Sequence, residues 1–451
     1  MKGSWKRLVS VVLGVSLLMS SAVQTSVLAQ SPEAEGQTTD ALALDYTIYP
    51  LVREKNYTDG GFDLGENIHI VYADGIDEAT RNLTRQTLEG IQPAPQITQG
   101  TEMEDGKVNV LVGIKGDGSA ADQELADVSP NMTIESAGKT HENVDIFQHE
   151  DAHDSYILRA QDGTIAIVGK TTDAAFYGVT TLNMILDEMA EQGVSTIRNL
   201  TIRDYASVAQ RGFIEGYYGV PWGVDNRCML MEWGGRWKMN AYFYAPKNDL
   251  KHNSQWRAQY TAEELEEFRR MAQVGNDTKC RFIYSLHTFM SEPFRFDENY
   301  ETDLQIVLDK FESLYQVGVR QFAILADDAA GTSAENIARL CNDVAAWGES
   351  KGDVYPMLHC PTTYNAAWTN EDGYKGLGYL DENLSEGIQV MWTGKETCGH
   401  ADQEGAELYT KNVAKYYYGD ESKADEVRRP VMWLNWPVNL SLIHISEPTR
   451  P

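Results

Sequence analysis

Seven short apolar segments recur through the second half of the chain, and this recurrence constrains the fold most. Each segment has the length of a buried strand, and segments of helix length lie between them. Strands that alternate with helices at this spacing are typical of a (β/α) barrel. The seven segments are RGFIEGYYG, MNAYFYAPK, CRFIYSLH, FAILADD, YPMLHCP, QVMWTG and PVMWLNW.

A doubly wound parallel sheet is the main alternative to a barrel. Such a sheet would usually place a G-x-G-x-x-G phosphate turn after its first strand. The first strand here runs into EGYYGVPW, which lacks that spacing, and no GxxxxGK[ST] loop occurs. We therefore predict a (β/α)8 TIM barrel over residues 206–439 that is truncated after its seventh strand, and we do not expect nucleotide chemistry.

The region before the barrel has a different rhythm. Short strand candidates such as NIHIVYA, KVNVLVGI, SYILRA and TIAIVGK alternate with the helical stretches EATRNLTRQTLEGI and DAAFYGVTTLNMILDEM. This pattern predicts a compact α/β domain over residues 44–205. It gathers no recognisable cluster of acids, histidines or glycines, so we expect it to support or contact the barrel.

The N-terminus has the features of a secretory signal peptide. Two lysines and an arginine precede an apolar stretch over residues 8–19, and the small residues of Val27-Leu28-Ala29 offer a cleavage point. A membrane anchor is the alternative, but the apolar run is shorter than the roughly 20 residues that a spanning helix needs. We predict a signal peptide over residues 1–29 and a polar linker over residues 30–43. The mature chain would then be secreted, in solution or at the cell surface, with no membrane span.

Charge and composition narrow the range of ligands. The formal net charge of -29 disfavours nucleic acid and anionic membranes, whereas a neutral sugar is compatible with it. The five cysteines are widely spaced without a C-x-x-C pair, which favours buried free thiols over disulfides or a zinc cluster. The nine histidines show no ligand spacing. We expect neither a metal nor a cofactor.

Polar and aromatic side chains collect where the predicted strands end. Asp327 and Asp328 close the fourth strand, at the position where barrel enzymes place their chemistry. Aromatic rings suit the apolar faces of a sugar, and carboxylates and amides suit its hydroxyls, so the set predicts a glycosidase. The other residues at these ends are Glu215, Gly216, Tyr217, Tyr218, Trp222, Lys247, Asn248, Asp249, His252, Tyr364, Trp392, Thr393, Trp433, Asn435 and Trp436.

Each of these residues also has a structural interpretation. Asp327 and Asp328 could cap a helix or bind calcium. Lys247 could be a surface ion-pair partner, and the aromatic residues could serve only to pack the barrel.

Several of the motifs, taken in order, resemble those of glycoside hydrolase family 84. They are RGFIEGYYGVPW, MNAYFYAPKND with a nearby His and Trp-Arg, the Asp-Asp pair, PTTYN, MWTG and WLNWPVN, and the resemblance covers about residues 44–439. The family contains O-GlcNAcases and secreted bacterial β-N-acetylglucosaminidases, some of them described as hyaluronidases. The resemblance implies an N-terminal α/β domain before a catalytic TIM barrel, and substrates that are β-GlcNAc-containing glycans or glycoproteins.

The resemblance also implies a mechanism and a set of roles. Hydrolysis would be substrate-assisted and retaining, with the 2-acetamido oxygen attacking the anomeric carbon to form an oxazoline. Asp327 would hold the acetamido N–H, and Asp328 would act as acid and then base. Two neighbouring carboxylates do not both ionise cheaply, which suits this division. The implied substrate-binding residues are the Gly216 carbonyl and Lys247 for hydroxyls, Tyr364, Thr393 and Trp433 around the acetamido group, and Asn435 in the same pocket.

The chain departs from the family pattern in two places. The residues that flank the acid pair are small, and the third strand ends in Leu286-His287-Thr288. Leu440 stands where the family has an aspartate for the outer hydroxyls of the sugar, and the barrel pattern stops there. We interpret residues 440–451 as a non-native tail. A non-catalytic carbohydrate-binding protein with the same fold therefore remains the alternative to an enzyme.

Overall fold

The structure is a computed structural model that describes most of the chain from Asp40 to Asn435. The predicted signal peptide, most of the predicted linker and the interpreted tail lie outside the described residues. The described ranges are 40–136, 138–216, 220–329, 331–399 and 402–435.

The N-terminal domain is built on a mixed seven-stranded sheet. Its strand order is β1-β9-β7-β8-β4-β2-β3. Neighbouring strands from β8 to β3 in this order are parallel, and neighbouring strands from β1 to β8 are antiparallel. A separate hairpin, β5 with β6, joins β4 to β7. The strands are β1 (Glu54–Asp63), β2 (Asn67–Tyr72), β3 (Gln96–Gly100), β4 (Val108–Ile114), β5 (Asn131–Ser136), β6 (Lys139–Asp145), β7 (His153–Gln161), β8 (Thr164–Gly169) and β9 (Thr196–Ala206).

Three helices accompany this sheet: α1 (Glu78–Glu89), α2 (Ala120–Glu124) and α3 (Thr172–Gln192). Helix α3 begins at a Thr171 cap and ends where Gly193 adopts a left-handed conformation, φ 68°, which glycine enters without steric cost. Most of α3 is buried because it packs on the central strands. The α/β character predicted for this region is confirmed.

The second half forms seven parallel strands in sequential order, β10 to β16, and all seven predicted strands are present. In the described part of the chain, β10 pairs only with β11 and β16 only with β15, so the sheet is an open, seven-stranded part of a barrel. The strands are β10 (Gly212–Glu215), β11 (Ala241–Tyr244), β12 (Arg281–His287), β13 (Gln321–Leu325), β14 (Leu358–Cys360), β15 (Gln389–Trp392) and β16 (Val431–Met432).

Helices connect the barrel strands, and two short helical turns lie between the last helix and the last strand. Helix α5 begins with a capping box in which Thr261 and Glu264 satisfy each other's backbone N–H groups, as its sequence predicts. The helices are α4 (Val224–Arg236), α5 (Ala262–Thr278), α6 (Tyr300–Gln316), α7 (Ala334–Glu349), α8 (Glu371–Asn383) and α9 (Gln403–Val413), followed by turns at Ala414–Tyr418 and Glu421–Asp425. None of the helices among the described residues combines the length and apolar character needed to cross a bilayer.

Strand β13 shows why the barrel strands read as unbroken apolar runs. Phe322 and Ile324 face outward into the core between strands and helices, whereas Ala323 and Leu325 face the barrel interior. Both faces of a parallel strand are covered, so no polar alternation is visible in the sequence. A polar residue at the end of such a strand therefore marks the place where the strand leaves the core.

The two domains meet through opposite charges. Four basic side chains lie at the amino-terminal ends of strands β10, β11 and β12, and acidic side chains of the N-terminal domain face them. This contact lies at the end of the barrel opposite Asp327, so it orients the barrel and leaves the other rim open. The pairs are Arg211 with Asp154 (2.7 Å), Lys238 with Asp204 (3.0 Å), Lys279 with Asp77 and with Asp173 (2.8 Å), and Arg281 with Asp173 (2.9 Å).

Replacing Lys238 with methionine should destabilise the protein markedly. The Lys238 ammonium is buried and donates to the Tyr156 hydroxyl (2.9 Å) and to the Asp204 carboxylate (3.0 Å). Its loss leaves Asp204 buried without a countercharge, which costs about 3–5 kcal/mol. We expect a matching drop in the free energy of unfolding, measured by urea denaturation.

The control for this variant is an exposed ion pair between the same two domains. Lys139 and Asp425 lie 2.7 Å apart, and more than half of each side chain is exposed. Lys139→Met should cost no more than about 1 kcal/mol, because water screens the pair. Equal losses for the two lysine variants would show that burial of the interface does not determine its strength.

Candidate active site

The two adjacent carboxylates lie on a tight turn that follows β13. The Ala326 N–H donates to the Cys360 carbonyl (2.9 Å) and extends the pairing with β14 up to the first acid. Asp328 then adopts a left-handed conformation with φ 57°, which few residues other than glycine, asparagine and aspartate adopt readily. The reversal sends the two carboxylates to different partners.

Asp327 is held loosely between two basic side chains. It is 9% exposed, and its Oδ2 lies 3.5 Å from the Lys247 ammonium. Its Oδ1 lies 3.7 Å from His287 Nε2, beyond hydrogen-bonding distance, and has no hydrogen-bond partner in the described structure. A buried carboxylate oxygen without a donor is costly, and an N–H group from a ligand would satisfy it.

Asp328 is held by one strong hydrogen bond. The Tyr364 hydroxyl donates to Asp328 Oδ1 at 2.8 Å. Burial, and then the hydrogen bond to Asp328, raise the pKa of Tyr364 far above its usual value, so the phenol stays protonated. The tyrosine therefore remains a donor to this carboxylate throughout the working pH range of any hydrolase.

Replacing Tyr364 with phenylalanine should lower the rate without unfolding the protein. A hydrogen bond to a charged acceptor contributes about 1.5–3 kcal/mol, so its loss should reduce kcat by about 10- to 100-fold, because the bond strengthens as Asp328 becomes charged in the transition state. Tyr409→Phe is the matched control, because the Tyr409 hydroxyl is buried and has no hydrogen-bond partner within the described residues. Similar kinetics for both variants would remove Tyr364 from the site.

Lys247 belongs to the segment that follows β11. Its backbone carbonyl accepts a hydrogen bond from the Asn253 side chain (3.2 Å), which folds the segment back on itself. The Lys247 side chain is 20% exposed and points to Asp327. Lys247 is thus an ion-pair partner, and its partner is one of the predicted catalytic residues.

The remaining predicted residues follow the ends of three strands: Gly216 after β10, Thr393 after β15, and Trp433 and Asn435 after β16. The backbone N–H of Thr393 donates to the Tyr364 carbonyl (2.7 Å), and the Thr393 hydroxyl donates to the Glu396 carbonyl (2.9 Å). A Cβ atom on Gly216 would lie 3.4 Å from the Trp433 ring, so the ends of β10 and β16 are close together. The Asn435 amide donates to the Thr397 carbonyl (2.6 Å), at the edge of this group.

Two comparisons with family models match most of the chain. Residues 45–205 match the model of domain 2 of glycosyl hydrolase family 20. Residues 211–443, just over half of the chain, match the β-N-acetylglucosaminidase model. The chain belongs to the β-N-acetylglucosaminidase family. The resemblance to glycoside hydrolase family 84 that the motifs predicted is confirmed.

Individual members of this family are similar over different lengths. The chain is 27% identical to Protein O-GlcNAcase of Mus musculus over 241 residues and of Rattus norvegicus over 243 residues. Each match covers 51% of this chain, and the chain spans 24% of the length of these curated relatives. The solved structure of CpGH84D is 36% identical with a TM-score of 0.75, and that of CpGH84B is 25% identical with a TM-score of 0.69. Each covers 88% of this chain, and they are matched over 61% and 62% of their own chains, respectively.

The structural alternatives for the acid pair find no support in this family member. Helix α7, the first after the pair, is capped by Ser333, whose hydroxyl accepts from Asn336 N–H, and neither acid caps it. Calcium would need further oxygen ligands. Among the residues that the structure describes, no group of three His, Cys, Asp or Glu side chains could hold a metal ion.

Glu215, at the end of β10, has a structural role. Its carboxylate is buried, accepts two hydrogen bonds from Arg227 (2.8 and 3.0 Å) and accepts from the Tyr242 hydroxyl (2.6 Å). It also accepts from the Trp222 N–H (3.1 Å), which holds the backbone of Trp222 near the end of β10. With both oxygens engaged, Glu215 is not a free proton carrier. The sequence signal for this was Arg227, one turn into the next helix.

Proposed function

We propose that the chain is a glycosidase that removes terminal β-linked N-acetylglucosamine. The observation that carries the proposal is the unequal environment of two neighbouring acids. Asp327 has a buried oxygen without a donor among the described residues, and Asp328 accepts a hydrogen bond from Tyr364. One site therefore offers an anionic acceptor for an N–H group beside an acid that can exchange a proton. The 2-acetamido group of N-acetylglucosamine supplies such an N–H.

The mechanism that fits this pair is substrate-assisted. In the usual retaining scheme two carboxyl groups flank the glycosidic bond and one becomes the nucleophile. Asp327 and Asp328 occupy a single turn, so they are not expected to flank the glycosidic bond as an acid and a nucleophile would. Asp327 Oδ1 would accept the acetamido N–H and stabilise the positive charge that develops as the acetamido oxygen attacks the anomeric carbon.

Asp328 would handle the protons of both steps. It would donate a proton to the glycosidic oxygen as the bond to the leaving group breaks and the oxazoline forms. It would then accept a proton from the water that opens the oxazoline, with retention at the anomeric carbon. The Tyr364 hydrogen bond would stabilise the carboxylate between these two steps.

The other residues would bind the sugar. Lys247, already beside Asp327, and the Gly216 carbonyl would bond its hydroxyls. Tyr364, Thr393 and Trp433 would enclose the acetamido group, which agrees with the contact of Thr393 with Tyr364 and the place of Tyr364 and Trp433 in one interior cluster. Asn435 would act at the rim.

The natural substrates would be glycans outside the cell. The proposed signal peptide over residues 1–29 would deliver the chain to terminal GlcNAc on secreted glycoproteins, mucin-type glycans or O-GlcNAc-like conjugates. The formal net charge of -29 supports a neutral sugar over a polyanion.

The test is hydrolysis of an aryl β-N-acetylglucosaminide by the purified chain. The control is the matching aryl β-glucoside, which lacks the acetamido group and should not react. Hydrolysis of both substrates would contradict substrate assistance. Binding of N-acetylglucosamine by a folded protein that hydrolyses neither substrate would instead support the carbohydrate-binding alternative.

A further inference from the structure

We propose that His287 is a positioning residue that fixes the backbone of Asp327 and leaves the Asp327 carboxylate free for the substrate. The proposal rests on the proposed function, because it assigns a support to the acid that would hold the acetamido group. His287 is the last residue of β12, and its neighbour in the β13 register is Leu325, two residues before Asp327.

The geometry separates the backbone of Asp327 from its side chain. His287 Nε2 lies 2.7 Å from the Asp327 backbone carbonyl but 3.7 Å from Asp327 Oδ1. Only the shorter distance is a hydrogen bond. The imidazole therefore clamps the main chain at the start of the turn, and Oδ1 keeps its capacity to accept from a ligand.

The hydrogen bonds of the ring also define its protonation state. A carbonyl oxygen only accepts, so Nε2 must carry the hydrogen. On the other side the Phe289 N–H donates to Nδ1 at 3.3 Å, so Nδ1 is the bare nitrogen. Burial lowers the pKa of His287 although Asp327 opposes the shift, and the ring stays neutral. A neutral ring does not compete with Lys247 for the carboxylate.

A second buried histidine connects this clamp to Lys247. His252 Nδ1 lies 2.5 Å from the Ser285 backbone carbonyl, and the backbone N–H of His287 donates to the backbone carbonyl of His252 at 2.9 Å. Two hydrogen bonds thus join the segment that carries Lys247 to the end of β12. The His287 ring joins the same end of β12 to the turn of Asp327. Together these bonds set the relative position of Lys247 and Asp327.

The test compares two substitutions of His287. His287→Leu removes the N–H, lets the turn relax and should lower kcat by about 10- to 100-fold, with KM changed much less. His287→Gln places an amide N–H near the position of Nε2 and should restore most of the rate. Because His287 acts through the acid at the acetamido end of the reaction, the leucine variant should lose activity equally on good and poor aryl leaving groups.

His359→Leu is the matched control. His359 is equally buried and lies on β14, and its Nδ1 bonds the Ile324 carbonyl at 3.0 Å, but it faces away from the barrel interior. This variant should lose stability and keep its kcat. Equal kcat losses in the His287→Leu and His359→Leu variants, or no rescue by glutamine, would reduce His287 to a packing residue. An inactive parent chain would instead count against the proposed function.

A spectroscopic measurement tests the clamp without any activity. In protein labelled with ¹⁵N at histidine, the resonances that disappear in His287→Gln should show a protonated Nε2 and a bare Nδ1 at neutral pH. The opposite tautomer would mean that the hydrogen bond to the Asp327 carbonyl does not exist, and the proposal would fail whatever the kinetics show.

Discussion

Asp327→Asn is expected to lower kcat by about 10²- to 10³-fold on every β-N-acetylglucosaminide, whatever its leaving group. The variant keeps the size of the side chain but removes the negative charge that would stabilise the acetamido nitrogen as its carbonyl oxygen attacks. The effect should not depend on the leaving group, because the charge acts at the acetamido end of the reaction. Initial rates on aryl substrates of graded leaving-group ability measure it.

The control for Asp327 is a carboxylate at the opposite end of the barrel. Asp353 pairs with Arg320 at 2.8 Å and is about half exposed. Asp353→Asn should leave kcat unchanged on all of these substrates. If Asp327→Asn retained the parent rate on all substrates, the assignment of the acetamido group to this acid would be wrong.

The barrel and the acid pair could be predicted from the sequence for one physical reason. Parallel strands are buried on both faces, so FAIL reads as an unbroken apolar run and the first polar residues after it must lie at the rim. The capping box of helix α5 was equally visible, because Thr261 and Glu264 are local in sequence. Features that depend on residues close together in the sequence can be predicted without a structure.

Features that depend on pairing or register could not be predicted. Strand β1 and the hairpin of β5 and β6 are largely polar and exposed, so they lack the apolar pattern of buried strands. The contact of His287 with Asp327 follows from the register of β12 against β13, which no local motif encodes. The same holds for the approach of Gly216 to Trp433, which joins strands more than 200 residues apart.

Asp328→Asn should produce the opposite kinetic pattern to Asp327→Asn. Poor leaving groups need a proton as the bond breaks, so kcat should fall by about 10²- to 10⁴-fold on them. Good leaving groups depart without protonation, so their first step should be nearly unaffected. The substitution is a clean test, because asparagine tolerates the left-handed φ of 57° and keeps an acceptor for the Tyr364 hydroxyl.

The second step of the reaction gives this prediction its sharpest form. With a good leaving group, the oxazoline should accumulate, because no general base remains to activate the water that opens it. Added azide is a nucleophile that needs no general base, so it should raise the rate. Loss of activity that is equal for all leaving groups and unmoved by azide would mean that Asp328 does not transfer the proton, and that the division of labour between the two acids is wrong.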